Sequence, residues 1–278
     1  MSLAVYEAYA STDLMGFASL TAGRQALNYG SGMHIGSNEW GANRNTRDGF
    51  TFGLDLDMAD VTVGYASRMN GDSLTNGGSS MYINAAKADG DWSLNFLYTS
   101  ATATVADVDG DANTGMGIDL GYAMMGGDLN LDVSYNTSSD GTTDMDMTSI
   151  GATYNVSDDM SISATQSTYG ENGFGGAGTN YGLAGTDSWM SHGNMGYLGA
   201  NEVDLAIGGS YAMGDFNLGA TFHTVTNEEV DTYERSATDI SLGYSMSDNA
   251  GLALKYVTDN NGTDTDTKYM WVTLTITP

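Results

Sequence analysis

The chain is a series of segments, each of about ten residues, in which apolar and polar side chains alternate. Two unlike kinds of connection join them: polar loops rich in Gly, Asn, Asp and Thr, and tight acidic turns. The tight turns are predicted at Ala59-Asp60, Gly90-Asp91, Gly126-Gly127-Asp128, Ser157-Asp158-Asp159, Gly214-Asp215 and Ser247-Asp248-Asn249. Short turns and long loops follow each other along nearly the whole chain. This pattern is typical of an antiparallel up-and-down β-barrel, with short periplasmic turns at one end and long extracellular loops at the other.

The alternation divides each segment into two faces, because successive side chains of a strand point to opposite sides. In the segment after Gly127 the apolar face would carry Leu129, Leu131, Val133 and Tyr135. The polar face would carry Asn130, Asp132, Ser134 and Asn136. A soluble β-protein alternates in the same way, so alternation alone leaves a soluble core and a lipid-facing surface as alternatives.

The aromatic residues of the apolar face favour the lipid-facing alternative. One set lies next to the tight turns: Trp92, Tyr122, Tyr154, Tyr211, Phe216 and Tyr244. A second set lies about four to six residues further along the strands: Tyr65, Tyr98, Tyr135, Phe222 and Tyr256. Two aromatic rings with aliphatic residues between them are typical of the two interfaces of a membrane. We therefore predict a transmembrane β-barrel in the bacterial outer membrane, with lipid as a partner.

The composition fits one large all-β domain over residues 1–278. No run approaches about 18 apolar residues, which excludes a transmembrane helix. Met1 is not followed by a basic and apolar leader, which predicts a mature or recombinant chain. The chain has 0 Cys and therefore no disulfide or thiolate metal site. Its net charge of −27 argues against nucleic acid as a partner, since phosphates require clustered Lys and Arg.

Counting the segments predicts about 15 strands, an odd number, whereas single-chain bacterial barrels have an even number. The first segment, Leu3 to Ala10, runs into a turn predicted at Thr12-Asp13, so it begins at the loop end. We therefore predict 16 strands with the first one missing ahead of residue 1; 14 strands is the alternative. The approximate spans are 2–11, 15–25, 48–58, 61–70, 80–89, 92–105, 116–125, 129–138, 146–156, 160–169, 203–213, 216–226, 236–246, 250–258 and 268–277.

Residues 17–58 carry a local motif with three parts. These are Gly23-Arg24-Gln25 at the end of a strand, Gly36-Ser37-Asn38-Glu39-Trp40 in a loop, and Arg47-Asp48-Gly49 at the start of the next strand. The motif resembles the alginate-export-like family of outer-membrane barrels. In that family it follows earlier strands, so the resemblance implies a missing N-terminal strand here.

The resemblance does not extend to the cargo. The alginate exporter lines its channel with many basic side chains because alginate is a polyanion, whereas this chain has 8 Lys and Arg in total. The family's general property, a porin-like channel for small solutes, is therefore the expected function. Few basic and many acidic groups predict a preference for cations or neutral solutes.

Charged residues on the predicted polar face are the candidate pore-lining residues, since that face meets the solute. They are Asp55, Asp57, Arg68, Asp119, Asp132, Asp204, Asp239 and Lys255. Arg24 is also a candidate, although the alternation places it on the same face as Leu20 and Ala22, which would face lipid. A bulge at Gly23 could turn it inward, where it could pair with Asp48 and anchor the large loop or bind solute. Solvation of a water-filled interior is the alternative role for the whole set.

Two loops stand out by their length, 26–47 and 170–202. Long loops without secondary structure are usually functional or disordered. The second one contains Phe174, Tyr181, Trp189 and Tyr197. Either loop could fold into the barrel and narrow the pore; a cap on the surface is the alternative.

One acidic segment could bind calcium. Asp107, Asp109, Asp111 and Asn113 supply side-chain oxygens at every second position, and calcium prefers such ligands. The segment lacks the Glu of a complete EF-hand loop, and a solvated loop is the alternative. No other cofactor is expected. His34, His192 and His223 are scattered without metal-ligand spacing, and no catalytic constellation is recognisable, so an enzyme is not predicted.

The sequence thus predicts passive diffusion of small solutes through an outer-membrane barrel. A structural or adhesive surface protein with a plugged barrel, bound to copies of itself or to an envelope partner, is the alternative. A soluble or extracellular β-protein is a third hypothesis.

Overall fold

A computed structural model describes residues 7–36, 46–70, 73–105, 108–175, 198–260, 262–263 and 265–276. These residues form one 15-stranded sheet in which every strand pairs antiparallel with its sequence neighbours. The strands are β1 Ala8–Leu14, β2 Ala18–Ala26, β3 Thr46–Leu56, β4 Ala59–Asn70, β5 Ser73–Asp89, β6 Trp92–Val105, β7 Val108–Met124, β8 Leu129–Ser139, β9 Asp144–Ser157, β10 Met160–Tyr169, β11 Glu202–Met213, β12 Phe216–Asn227, β13 Glu234–Ser247, β14 Ala250–Asp259 and β15 Thr267–Ile276. The predicted up-and-down all-β fold is confirmed. The described residues contain no helix long and apolar enough to cross a membrane.

The sheet has two edges, β1 and β15. Since neighbouring strands are antiparallel, all odd-numbered strands run in the same direction, from the end with the long loops to the end with the short turns. We call these the loop end and the turn end. Direct contact between β1 and β15 would therefore be parallel. The alternative of 14 strands is wrong, and the sixteenth strand stays a prediction.

Two predicted turns are displaced by a few residues. The first turn lies at 15–17 instead of at Thr12-Asp13, because Met15 and Gly16 adopt positive φ angles of 60° and 78°. There the Asp13 carboxylate accepts the Gly16 N–H over 2.7 Å. The third strand ends earlier than predicted, so the β3–β4 turn is formed by Asp57 and Met58 rather than by Ala59-Asp60.

The outer face of the sheet is an apolar belt. Leu94, Ile118, Leu120, Leu131, Val133, Leu218, Ile240 and Leu252 each have more than a third of their surface exposed. Aromatic rings pair across strands above and below these residues: Phe50 stacks on Tyr65 near the loop end, and Phe216 stacks on Tyr244 at the turn end. A protein in water rarely exposes so large a continuous apolar surface. The belt is suited to lipid.

The inner face packs against the loops that follow β2 and β10. One cluster of buried side chains comprises Met33, Met147, Tyr169, Phe174, Leu198, Val225 and Ala237. A second comprises Leu27, Ile35, Ala66, Tyr82 and Leu97. Met33 lies between β2 and β3 in sequence, whereas Val225 and Ala237 belong to β12 and β13. Because these side chains meet, the sheet must curl around a central lumen.

A glycine makes room for the largest side chain of the second cluster. Gly64 of β4 is paired with Tyr82 of β5, and a Cβ at position 64 would collide with the Tyr82 ring. The ring therefore lies against the wall, where it is 1% exposed. Its hydroxyl is 3.4 Å from the hydroxyl of Tyr29 in the β2–β3 loop.

Substitutions on the two faces of β12 test directly whether the apolar belt faces lipid. We expect Leu218→Arg to lower the free energy of unfolding by about 2–4 kcal/mol, because the guanidinium would enter hydrocarbon. The adjacent Asn217→Arg places the same charge on the polar face and should cost less than about 1 kcal/mol. Denaturant unfolding in lipid vesicles measures both. Equal losses for the two variants would contradict the assignment of the faces.

Candidate functional site in the lumen

The β2–β3 loop is anchored inside the lumen by Asp119 of β7. One carboxylate oxygen accepts the Ser31 N–H over 3.1 Å, and the other accepts the Ser134 hydroxyl over 2.6 Å. The hydroxyl of Ser31 also lies 3.2 Å from that of Ser134. Gly30 passes so close to Asp119 that a side chain there would collide with the carboxylate. Asp119, predicted to line the pore, therefore holds the loop as well.

His34 is the most deeply inserted titratable group of this loop. Its side chain is 1% exposed, and Nε2 donates to the Met116 carbonyl over 3.1 Å. The ring meets Phe174 edge to face at 5.3 Å. Burial, which disfavours the charged imidazolium, lowers the pKa of His34 to about 4, against the opposing effects of the Met116 carbonyl and Asp119. At neutral pH the loop therefore carries a neutral imidazole.

The β10–β11 loop enters the lumen from the opposite side. Phe174 and Leu198 are 5% and 4% exposed within the first cluster. The Ser138 hydroxyl donates to the Gly175 carbonyl over 2.6 Å, which ties this loop to β8. The described parts of both long loops thus lie inside the barrel, as the constriction hypothesis requires. Residues 37–45 and 176–197, with Tyr181, Trp189 and Tyr197, lie outside the described residues.

Between the inserted β2–β3 loop and the wall lies an acidic cavity of about 560 Å³. Asp60, Asp119 and Asp132 supply its carboxylates, Lys87 also lines it, and Asp60 is paired across the strands with the exposed Asp55. Ser93, Asn95, Ser149, Thr153 and Thr165 supply hydroxyl and amide groups. Asp55, Asp119 and Asp132 therefore lie on the inner face of the sheet; that they line a pore stays a prediction. Asp60 was missed because it was assigned to a turn.

The prediction for Asp57 is corrected by the position of the turn. Asp57 is not on the strand wall but in the β3–β4 turn, where its backbone carbonyl accepts from Lys87 Nζ over 3.0 Å. Its side chain is exposed at the turn end.

The wall formed by β11 to β14 carries two ion pairs and one contact between a carboxylate and a histidine on its inner face. Asp204 contacts His223 at 2.8 Å, Lys255 contacts Asp239 at 2.9 Å, and Arg235 contacts Asp259 at 2.6 Å. All six side chains are at most 13% exposed. The sequence prediction named Asp204, Asp239 and Lys255 as candidates on this face but did not name His223, Arg235 or Asp259 as candidates. The alternation places each of these three residues on the polar face, and this could have identified them.

The Asp204–His223 pair leaves one imidazole nitrogen without a hydrogen-bond partner among the described residues. Asp204 accepts a hydrogen bond from Nδ1 over 2.8 Å. Nε2 is buried and makes no hydrogen bond to any residue that the structure describes. The pair lies on adjacent strands, Asp204 on β11 and His223 on β12, opposite the small side chain of Ala237.

Arg24 lies on the outer face, not in the pore. Its cross-strand partner is Asp48, two positions beyond the Ala22–Phe50 pair and without a change of register. The guanidinium donates from Nε and from Nη2 to the two Asp48 oxygens at 2.9 and 2.8 Å. Gly23 has a φ of 127° and allows a close approach of the Ala8 carbonyl, but it forms no bulge. The predicted pairing with Asp48 is present, and the predicted inward turn is wrong.

The remaining predicted residues lie at the loop end. Arg68 is paired with Gly78, and its side chain lies outside the described part of the chain. The calcium candidate is a strand instead of a loop, since β7 begins at Val108 and includes Asp111 and Asn113. In a strand, alternate side chains are about 6.6 Å apart, too far to surround one ion. Asp107 and the side chain of Asp109 lie outside the described residues, within which no three acidic or His ligands converge.

Comparisons with known proteins concern the fold. No family model matches the chain, and no curated protein matches it. The structure resembles Pseudomonas aeruginosa OccK1 (OpdK), with a TM-score of 0.74 at 11% identity over 96% of this chain and 77% of that one. OpdK solved with vanillate gives 0.74 at 12% identity, over 96% and 76%. P. aeruginosa OccK8 (OprE) gives 0.68 at 15% identity, over 95% and 79%.

The chain has the fold of these outer-membrane β-barrel porins. The apolar belt and the porin fold together support the predicted location in the bacterial outer membrane. The resemblance to the alginate-export-like family finds no support in these comparisons.

Removal of the Asp119 carboxylate should release the β2–β3 loop. We expect Asp119→Ala to weaken docking by about 2 kcal/mol, since the hydrogen bond from the Ser31 N–H of the loop to a charged acceptor is lost. Hydrogen exchange of the Ser31 amide would then accelerate by at least about tenfold. Asp132→Ala removes a carboxylate from the same cavity without touching the loop and is the matched control. Unchanged protection of Ser31 in the Asp119 variant would contradict the anchoring role.

Acid should weaken docking of the same loop through His34. Because the docked loop holds His34 at a pKa of about 4, below its usual 6.5, docking is at full strength above pH 6.5 and weakens as the pH falls toward 4. The loss reaches roughly 3 kcal/mol below pH 4. Hydrogen exchange of residues 27–36 at pH 7 and 4.5, corrected for intrinsic rates, measures it. His34→Gln cannot titrate and should remove the pH dependence; wild-type protection that is equal at both pH values would contradict the prediction.

Proposed function

We propose that the protein is a porin-like channel through which small solutes diffuse passively across the outer membrane. The observation that carries this proposal is the acidic, hydroxyl-lined cavity inside a barrel whose outer face is apolar. A polar interior of this kind holds water, and a loop folded into it sets the width of the passage.

The charges of the wall support a preference for cations or neutral solutes. Asp55, Asp60, Asp119 and Asp132 line the turn-end half of the lumen and make no ion pair with any described residue. In contrast, Arg235 and Lys255 are each neutralised by a carboxylate. The lumen therefore has an excess of negative charge, which attracts cations and repels anions.

The same charges argue against the kind of solute seen with one structural relative. OpdK was solved with vanillate, which is a carboxylate. The two lumenal cations of the β11–β14 wall are already paired, so a carboxylate entering here would displace an Asp or remain unpaired. We infer that anionic aromatic acids are poor solutes for this channel.

The two inserted loops favour a second candidate function. Their buried side chains form an apolar cluster with β9, β10, β12 and β13, as in a barrel with a plug. A plugged barrel would serve as a structural or adhesive envelope protein, with copies of itself or another envelope protein as partner. A measurement of ion conduction distinguishes the channel from the plugged barrel directly.

Ion selectivity in planar lipid bilayers tests the channel and its charge together. In a tenfold KCl gradient we expect open channels whose reversal potential indicates K⁺ permeability several-fold above that of Cl⁻. The double variant Asp55→Asn/Asp60→Asn should reduce this ratio at least twofold. Asp140→Asn, in the loop-end turn between β8 and β9, changes a charge outside the lumen and should leave the ratio unchanged. Absence of conductance would support the plugged barrel, and anion selectivity would contradict the proposed preference.

A further inference from the structure

A groove of about 400 Å³ lies on the outer face of the sheet, at the loop-end side of the apolar belt. The hydroxyl side chains of Thr114, Thr137 and Ser139 line it. The rings of Tyr98 and Tyr135, which are 41% and 42% exposed, border it on the side of the belt. Small-molecule sites typically have volumes of about 300–1,000 Å³. We call this recess in β6 to β9 the outer groove.

The polarity of this surface changes from one row of paired residues to the next. The row nearest the turn end is mainly apolar and consists of Phe96, Ile118, Tyr135 and Thr148. The middle row is mixed and consists of Tyr98, Met116, Thr137 and Asp146. The row nearest the loop end is entirely polar and consists of Ser100, Thr114, Ser139 and Asp144. Successive rows are about 6.6 Å apart, so the change takes about 13 Å. The outer groove therefore lies where hydrocarbon gives way to lipid headgroups.

Two carboxylates of β9 line the outer groove at the level of the headgroups. Asp144 and Asp146 are exposed, and both lie on the outer face because they are two positions apart in a strand. The Asp146 carboxylate lies against Gly170, where a Cβ would collide with it. The sequence contains no Lys or Arg between Lys87 and Arg235. No basic side chain of β6 to β12 can therefore neutralise this pair of charges.

These features suit one class of lipid headgroup. A primary ammonium carries the opposite charge and three N–H donors, so it can bind carboxylates through charge-assisted hydrogen bonds. A quaternary ammonium carries the charge but no donor, and an anionic headgroup is repelled. A divalent ion that bridges to an anionic lipid is a poorer fit, because alternate side chains of a strand are about 6.6 Å apart. Among the residues that the structure describes, no three acidic or His ligands converge on a metal ion.

We propose that the outer groove binds one lipid molecule whose headgroup carries a primary ammonium beside a phosphate. Asp144 and Asp146 accept hydrogen bonds from the ammonium, and the hydroxyls of Thr114 and Thr137 donate to the phosphate. The acyl chains continue over Ile118 into the belt, which already faces lipid. The proposal depends on the position of the barrel in a membrane and not on conduction. The bound lipid neutralises part of the charge of this side of the barrel and fixes its depth in the membrane.

Competition between lipids with identical acyl chains tests the proposal on the purified full chain. Mixed micelles would contain equal amounts of phosphatidylethanolamine, phosphatidylcholine and phosphatidylglycerol together with a chelator of divalent ions. Native mass spectrometry then counts the lipid that the protein retains. Phosphatidylethanolamine should be retained about threefold more often than either competitor, since exposed charge pairs give modest preferences. The variant Asp144→Asn/Asp146→Asn should abolish this preference. Glu228→Gln/Glu229→Gln, which removes the same charge from the loop-end turn after β12, should leave the preference unchanged.

A second pair of variants tests the shape of the outer groove without changing its charge. Thr137→Phe fills the groove and should also abolish the preference, whereas Thr238→Phe on the outer face of β13 should not. Equal retention of phosphatidylethanolamine and phosphatidylcholine overturns the proposal, and so does a preference for phosphatidylglycerol. A preference that persists in Asp144→Asn/Asp146→Asn or in Thr137→Phe overturns it as well. Circular dichroism of each variant reports its folding, and Thr137→Phe decides the question if the double variant fails to fold. None of these results bears on conduction, so the channel function stands or falls separately.

Discussion

The backbone hydrogen bonds between neighbouring strands are the constraint on which the rest of this structure depends. In hydrocarbon every N–H and C=O must find a partner within the protein, and a continuous ladder supplies partners on both sides of every strand from β2 to β14. The ladder fixes the register, and the register assigns each residue to lipid or to lumen. Leu218 and Asn217 are neighbours in sequence, yet Leu218 faces lipid and Asn217 faces the lumen. The belt and the acidic cavity both follow from that assignment.

Carboxylates of the lumen divide into three roles according to what lies opposite them. Asp119 meets the β2–β3 loop and anchors it, so its charge is used in two hydrogen bonds. Asp204, Asp239 and Asp259 meet His223, Lys255 and Arg235, which allows them to be almost fully buried. Asp55 and Asp132 remain exposed to water and define the charge that a solute meets. The large negative charge of the sequence is thus only partly available for selectivity.

Much of the fold could be predicted from the sequence, because a two-residue period is a local signal that each strand carries by itself. Asp204, Asp239 and Lys255 were placed on the inner face for this reason. The pairing of Asp204 with His223 could not be predicted, since the two residues are 19 positions apart and meet only through the register. Docking of the β2–β3 loop joins Ser31 to Asp119, 88 residues further on, which no local pattern records. For Arg24, the alternation alone gives the correct outward direction of the side chain. The bulge suggested by Gly23 was wrong, because a positive φ does not by itself shift the register.

The assignment of one face to lipid and the other to water can be measured residue by residue, because the chain has 0 Cys. Single cysteines at Asn130, Leu131, Asp132 and Val133 of β8 would be treated, in lipid vesicles, with a charged thiol reagent that does not enter membranes. We predict fast modification at Asn130 and Asp132, with a reduced current after modification of Asp132, and protection at Leu131 and Val133. Equal reactivity at all four positions, or modification of the apolar pair alone, would contradict the account.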